Sequence, residues 1–285
     1  MWKLFVGFFE YAPLWIFIHL LGLLKYDQRM RLGSSIIGLA IRRIPRYRKR
    51  VLNNLRLIYP EISKIETTKF LKDFSQNLGL TFTEFLFNQE FHENQEILLD
   101  DPTQLDEIYA AVQKNQPIII ASGHFGPWEA VRALLKRKGI ETGAIYRKSK
   151  NRFYQPYHHK TISIGGTPVF QTGRKGTAGM VRHLKKGGII CIMIDQAVSD
   201  GKYMNFLGKP AKTTLAIANL ALRYNALMIP AYAIRKVNDN SIAVVVEPSI
   251  SPSTPQNMTE QATESLTNRI NQAPTHWYWL HNRWK

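Results

Sequence analysis

The chain is predicted to be an α/β protein, with a mostly parallel sheet flanked by helices and a helical N-terminal region that associates with membranes. Three observations predict this. After residue 50, short apolar runs rich in β-branched residues alternate with amphipathic segments of helical period, a pattern that favours parallel strands joined by crossover helices. The first 24 residues are strongly apolar and are followed at once by a basic stretch. With 285 residues, 45% of them hydrophobic, the chain can bury a substantial core, so we expect residues 1–50 as an attachment region and residues 51–285 as one domain.

Taken in order, Met1 to Leu24 is interrupted only by Lys3 and Glu10, and Lys25, Arg29, Arg31, Arg42, Arg43, Arg46, Arg48, Lys49 and Arg50 follow. A secretory signal peptide fits poorly, because no strong charged start and no small-residue cleavage site frame the apolar run. The longest uncharged run, Tyr11 to Leu24, has 14 residues, short of the roughly 20 that a spanning helix needs. Trp2, Tyr11, Trp15 and several Phe residues accompany the apolar stretch, so attachment to an anionic membrane surface is expected over burial in the protein's own core. Thr67 to Leu80 reads as a helix. Beyond it, strands are predicted at Ile118 to Ala121, Thr142 to Tyr146, Ile189 to Ile194, Met228 to Ile234 and Ile242 to Glu247. Helices are predicted at Trp128 to Lys138, Arg152 to Ile162, Thr177 to Lys186, Thr214 to Tyr224 and Thr259 to Gln272, and Pro248 to Gln256 is read as a loop. The aromatic terminus from Trp277 to Trp284 is expected to pack on the core.

The charge balance is 38 Lys+Arg against 21 Asp+Glu, a formal +17, which calls for an anionic partner: phospholipid headgroups, an acidic protein or nucleic acid. Nucleic acid is disfavoured, since the basic residues are dispersed, with no aromatic-interleaved RNA motif and no recognition helix. A single cysteine, Cys191, lies inside an apolar run, so no intramolecular disulfide forms and a buried core thiol is expected rather than a nucleophile. Walker loop, GxGxxG, GxSxG, HExxH and paired-Cys patterns are all missing from the sequence, so no cofactor or metal is expected, and a serine hydrolase of the α/β-hydrolase type is weakened.

The most informative stretch runs from Ser122 to Ala130. It follows the apolar strand Ile118 to Ala121 and places His124 on the strand-to-helix loop, with Glu129 five positions later at the start of the next helix. Strand ends in α/β sheets are where ligands bind, and unpaired N–H groups of a helix start favour negative charge. Taken alone, a loop His and a first-turn Glu also suit a surface residue and a helix-dipole partner. Asp195, followed by Gln196, closes a second apolar strand and projects towards the same crevice; a helix cap or a structural ion pair is its plainer role. Arg147 ends a third strand. His158 and His159, adjacent on a helix, point in different directions and read as a solvated pair, not a metal site.

Six blocks together resemble the lipid A biosynthesis (lauroyl/myristoyl) acyltransferase family, within the His-x4-Asp/Glu lysophospholipid acyltransferase superfamily. They are Arg48 to Glu61, the His124/Glu129 block, Tyr146 to Asn151 with Gly173 to Thr177, Ile194 to Gln196, Phe206 to Thr214, and Trp277 to Lys285. The resemblance implies a membrane-associated O-acyltransferase on the cytoplasmic face of the bacterial inner membrane, with residues 51–285 as the acyltransferase domain. It also implies acyl carrier protein, or acyl-CoA, as the donor, and as acceptor a lipid A precursor, with a lyso-phospholipid or lyso-aminolipid as the alternative amphiphile. A non-catalytic protein binding anionic membranes is the alternative of another class. In the acyltransferase reading His124 is the general base, Glu129 or Asp195 orients its ring, with spacing and family pattern preferring Glu129, and the N–H groups near Gly126 and Trp128, or an arginine, meet the oxyanion. Arg147, Asn151, Arg174 and Gln196 are then candidates for holding substrate.

Overall fold

The computed structural model describes residues 2–236 and 241–284, with side chains from residue 6 onward. Met1, Lys285 and the side chains of Trp2 and Lys3, which belong to the predicted apolar run and terminal block, lie outside the described residues. Four helices come first: α1 (Trp2–Gly22), α2 (Tyr26–Arg43), α3 (Pro45–Ile58) and α4 (Lys64–Leu86). The start of α4 is set by a reciprocal cap, in which Ser63 Oγ accepts from Glu66 N at 3.2 Å and the Glu66 carboxylate accepts from Ser63 N at 2.9 Å. Helices α2 and α4 touch backbone to backbone; a Cβ at Gly79 would lie 2.4 Å from Ser34 O, so only glycine permits the approach.

The α/β part contains α5 (Asn88–Asn94), β1 (Ile97–Leu99), α6 (Asp106–Gln113), β2 (Ile118–Ser122), α7 (Glu129–Arg137), β3 (Gly143–Tyr146), α8 (Tyr154–Ile164), β4 (Val169–Gln171), α9 (Arg174–Leu184) and β5 (Ile189–Met193). It continues with β6 (Lys202–Phe206), β7 (Lys209–Thr213), α10 (Ala216–Tyr224), β8 (Leu227–Arg235), β9 (Ile242–Val246) and α11 (Pro255–Gln272). Among the described residues, seven strands form one sheet in the order β1-β9-β8-β2-β5-β3-β4, and β6 and β7 make a separate antiparallel hairpin. Every pairing in the large sheet is parallel except β8 with β9. Both faces of the centre are covered: Ile119, Ala121, Ile190 and Ile192 pack into one core with α4, α9, α10 and α11, while Ile118, Ile120, Ile189 and Cys191 pack into another with α6 and α7. Two-sided burial explains why these strands read as unbroken apolar runs.

Some elements depart from the predicted ones. Strands β1 and β4 have three residues each, too few to show a period. Helix α11 begins at Pro255, because Thr254 caps it by accepting from Asn257 N at 3.2 Å, so the end of the predicted Pro248 to Gln256 loop is helical. Arg29, placed among the lipid-facing cations by the sequence pattern, is 6% exposed and ties α1 to α2, donating to Leu21 O (3.0 Å), Gly22 O (3.1 Å) and Leu24 O (2.9 Å) and pairing with Glu90. No helix among the described residues is long and apolar enough to cross a membrane.

Candidate active site

Strands β2 and β5 run parallel with Ser122 opposite Met193, and Ile194 N donates to Ser122 O at 2.8 Å. The two chains therefore leave the sheet's carboxyl edge side by side, which brings His124 and Asp195 together across 71 residues of sequence. His124 Nδ1 lies 2.8 Å from Asp195 Oδ1, and the His124 backbone N–H donates to Asp195 Oδ2 at 3.1 Å. The Asp195 side chain is fully buried. Burial opposes its ionisation, but the facing His124 and His281 and the hydrogen bonds they make outweigh it and hold the carboxyl well below its ordinary range. A carboxylate held ionised fixes Nδ1 of His124 as the protonated nitrogen. Nε2 is then left with its lone pair, on a ring that lines the cavity.

The C-terminal segment completes the cluster. It lies against the His124 loop through Gly126 N to His276 O (2.9 Å), Tyr278 N to His124 O (2.9 Å) and a bridge between Phe125 and Trp277. Trp277 and Trp279 are fully buried, as the packing expectation required, and Trp277 Nε1 donates to Asp195 Oδ2 at 2.9 Å. His281 Nε2 sits 3.3 Å from His124 Nδ1 and 3.5 Å from Asp195 Oδ2. Asn54 of α3 holds this segment by donating to Trp279 O and His281 O, both at 2.8 Å, and the buried Arg283 donates to Thr213 Oγ1 at 2.6 Å beside the β6–β7 hairpin. Sequence reasoning missed Trp277 and His281 as site residues; the signal available was the polar His281 inside an otherwise aromatic terminus. His124, Asp195 and His281 are also a group whose donor atoms lie close enough to hold a cation, although hydrogen bonds already occupy both Asp195 oxygens.

A cavity of about 410 Å³ opens beside His124, lined among others by Phe82, Phe85, Trp128, Ile162, Met193 and Tyr278. Glu129 and Gln196 also line it, but Glu129 does not reach His124. Its carboxylate pairs with Arg132 at 3.3 Å and bonds Asn88, and burial, only partly offset by those partners, raises its pKa. The preference for Glu129 as the orienting group is thus corrected: helix α7 turns that side chain towards Arg132, whose guanidinium is tied to Ile162 O (3.0 Å) and Gly166 O (2.9 Å), and the ring of His124 contacts Asp195. The oxyanion donors also need correction. Gly126 N–H is spent on His276 O and Trp128 N–H on Gly126 O at 3.0 Å. Gly126 is needed for shape, since its φ is +56° and a Cβ would meet Ala233 O at 2.2 Å; Trp128 offers its ring, 5.3 Å from that of His124.

Arg147 lines the cavity at the end of β3. Asn151 does not line it: its Oδ1 accepts from Phe153 N (3.0 Å) and Tyr154 N (3.3 Å) at the start of α8, and its Nδ2 donates to Gly7 O of α1 at 2.7 Å, so it joins two helices. Arg174 is exposed at the start of α9 and is not among the cavity's lining residues. His158 departs from the solvated pair expected; its ring lines the cavity, stacks on Tyr154 at 5.3 Å, and burial lowers its pKa, whereas His159 is exposed. Cys191 is buried as expected, its thiol pushed up to about 12 by desolvation.

The family described as bacterial lipid A biosynthesis acyltransferase matches residues 7–285. The chain is 24% identical to a lipid A biosynthesis lauroyltransferase of Escherichia coli K12, covering 95% of this chain and 89% of that one. It is 22% identical to a lipid A biosynthesis palmitoleoyltransferase of the same organism, covering 99% and 92%, and 20% identical to a phosphatidylinositol mannoside acyltransferase of Mycobacterium tuberculosis, covering 63% and 58%.

Proposed function

The chain belongs to the bacterial lipid A biosynthesis acyltransferase family, and from that premise we propose that this acyltransferase moves a fatty acyl chain from an acyl thioester to a hydroxyl of a lipid A precursor, with acyl carrier protein as the favoured donor. The observation that carries the chemistry is the His124–Asp195 pair at the edge of the cavity. His124 Nε2 takes the proton of the acceptor hydroxyl as its oxygen attacks the thioester carbonyl carbon; the C–S bond then breaks, and the imidazolium returns the proton to the leaving thiolate. No covalent enzyme intermediate is required. Asp195, itself held by Trp277 and His281, keeps the ring in the productive tautomer and stabilises the imidazolium. With the Gly126 and Trp128 N–H groups engaged, Arg147 is the group we assign to the oxyanion.

Attachment to the cytoplasmic face of the inner membrane is supported by the N-terminal helices. Phe8, Phe9, Trp15, Ile16 and Leu20 of α1, with Leu32, Ile36 and Leu39 of α2, are all exposed. Arg31, Arg43, Arg46, Arg48 and Lys49 are exposed on α2 and α3, as suits helices lying in an anionic interface. Helix α1 packs on the start of α8, Phe8 against Phe153 just before it and Tyr11 against Tyr154, next to the cavity-lining His158, so an acceptor lipid need not leave the membrane surface to reach His124. The test is to supply the purified protein with acyl carrier protein thioester and, separately, an under-acylated lipid A precursor, a lyso-phospholipid or a lyso-aminolipid, and to detect the new ester by mass. Ester on the lipid A precursor supports the proposal. Ester only on one of the other lipids replaces the acceptor, and no ester on any overturns acyl transfer to a membrane lipid.

A further inference from the structure

From Thr142 through Ile194 the chain carries ten Lys and Arg residues and no Asp or Glu, although it has 21 acidic residues in all. The fold concentrates part of this charge in one place. Strands β3 and β4 are parallel with Tyr146 opposite Gln171, and Thr172 N donates to Tyr146 O at 2.8 Å. The segments holding Arg147, Lys148 and Lys150 and holding Arg174 and Lys175 therefore leave the same sheet edge side by side. All five residues are exposed, and none is in an ion pair among the described residues. Arg147 and Thr172 line the cavity that His124 lines, so the patch adjoins its mouth.

We infer that this rim is the docking surface for an acidic protein that carries the acyl group as a thioester, an inference that rests on the acyl-transfer reading and adds where the donor approaches. The exposed Phe8 and Phe9 near Asn151 belong to α1, and the two loops themselves lack the apolar side chains with which a surface enters a lipid interface, since no large hydrophobic residue between Thr142 and Ile194 is exposed. Cations set along two successive loops match a protein face bearing several carboxylates better than a single phosphate. Such complementarity acts mainly on the rate of encounter and on partner choice. A carrier seated there would present its thioester arm at the Arg147 side of the cavity.

The experiment compares the wild type with a variant combining Lys148→Glu, Lys150→Glu and Lys175→Glu, none of which lines the cavity. Each is assayed with one acyl chain on acyl carrier protein and on neutral, carrier-free N-acetylcysteamine. The expected result at low salt is a fall in kcat/KM of about 10- to 100-fold with the carrier donor and a change within about twofold with the small thioester. The carrier effect should shrink near 0.5 M salt, where charges are screened within roughly 4 Å. Equal losses with both donors, no loss with the carrier donor, or a change confined to the acceptor KM would overturn the docking surface. A wild type that uses neither donor would instead refute the acyl-transfer reading. Fluorescence anisotropy with labelled acyl carrier protein then decides docking separately, a Kd raised at least tenfold in the variant supporting it and an unchanged Kd refuting it.

Discussion

Replacing Asp195 with Asn removes one oxygen acceptor and a charge from the most heavily bonded carboxylate of the site. In the wild type its two oxygens face His124 Nδ1 at 2.8 Å, His124 N at 3.1 Å, Trp277 Nε1 at 2.9 Å and His281 Nε2 at 3.5 Å. These partners include two backbone or indole N–H donors that cannot reverse their role, so an amide NH2 must confront an N–H or compel His124 to present Nδ1 as the acceptor. The second outcome puts the proton on Nε2, where the base needs its lone pair. Loss of the correct tautomer and of imidazolium stabilisation is expected to lower kcat by about 10²- to 10⁴-fold, a rise of roughly 3 to 5.5 kcal/mol in the barrier. Glu129→Gln should cost less, because that carboxylate contacts Arg132 and Asn88 and not the ring. The assay is thioester release by purified variants with native circular dichroism, donor KM being recorded in parallel. A kcat for Asp195→Asn within threefold of wild type, or a larger loss for Glu129→Gln, would refute the assignment of Asp195 as the orienting group.

Three further outcomes are expected. His124→Ala should lower acyl transfer by at least the 10²- to 10⁴-fold typical of a lost general base, with unchanged vesicle binding; near-normal turnover by the folded variant contradicts the mechanism. Combining Leu20→Glu with Leu23→Glu, at positions 60% and 83% exposed, should reduce sedimentation with anionic vesicles by more than about tenfold, since each buried leucine contributes about 2 kcal/mol; unchanged partitioning would show that this face does not enter the interface. Burial, against the pull of Arg235, pushes the carboxyl of Glu84 up to about 7. The folded protein therefore holds this proton more tightly than the unfolded chain, and its stabilising effect, complete below about pH 4.5, is lost as pH rises to about 7. Thermal unfolding across that window should show a decline on the order of 3 kcal/mol that Glu84→Gln largely removes, and identical pH profiles for the two proteins would refute the shift.

The longer strands and helices around the site, His124 at the end of one apolar run and Asp195 at the end of another, and the aromatic terminus as a packing segment were legible in the sequence, whereas the three-residue strands β1 and β4 and the β6–β7 hairpin were not. Two-sided burial makes β2 and β5 continuous apolar runs, and a loop that follows such a run can be located without knowing its neighbours. What only the tertiary structure decided is which carboxylate meets His124. Glu129 is five positions from His124 and Asp195 is 71 away, yet the parallel register of β2 with β5 places the distant group on the ring, and the first turn of α7 points the near one at Arg132. Separation along the chain does not determine the direction of a side chain at a strand-to-helix turn. Likewise Asn54, the β6–β7 hairpin and Trp277, His281 and Arg283 come from three blocks far apart in sequence and meet only because the C-terminal segment folds back over the His124 loop. Their pairings are backbone hydrogen bonds, indole donors and buried guanidinium contacts, which leave no periodic trace in a single sequence.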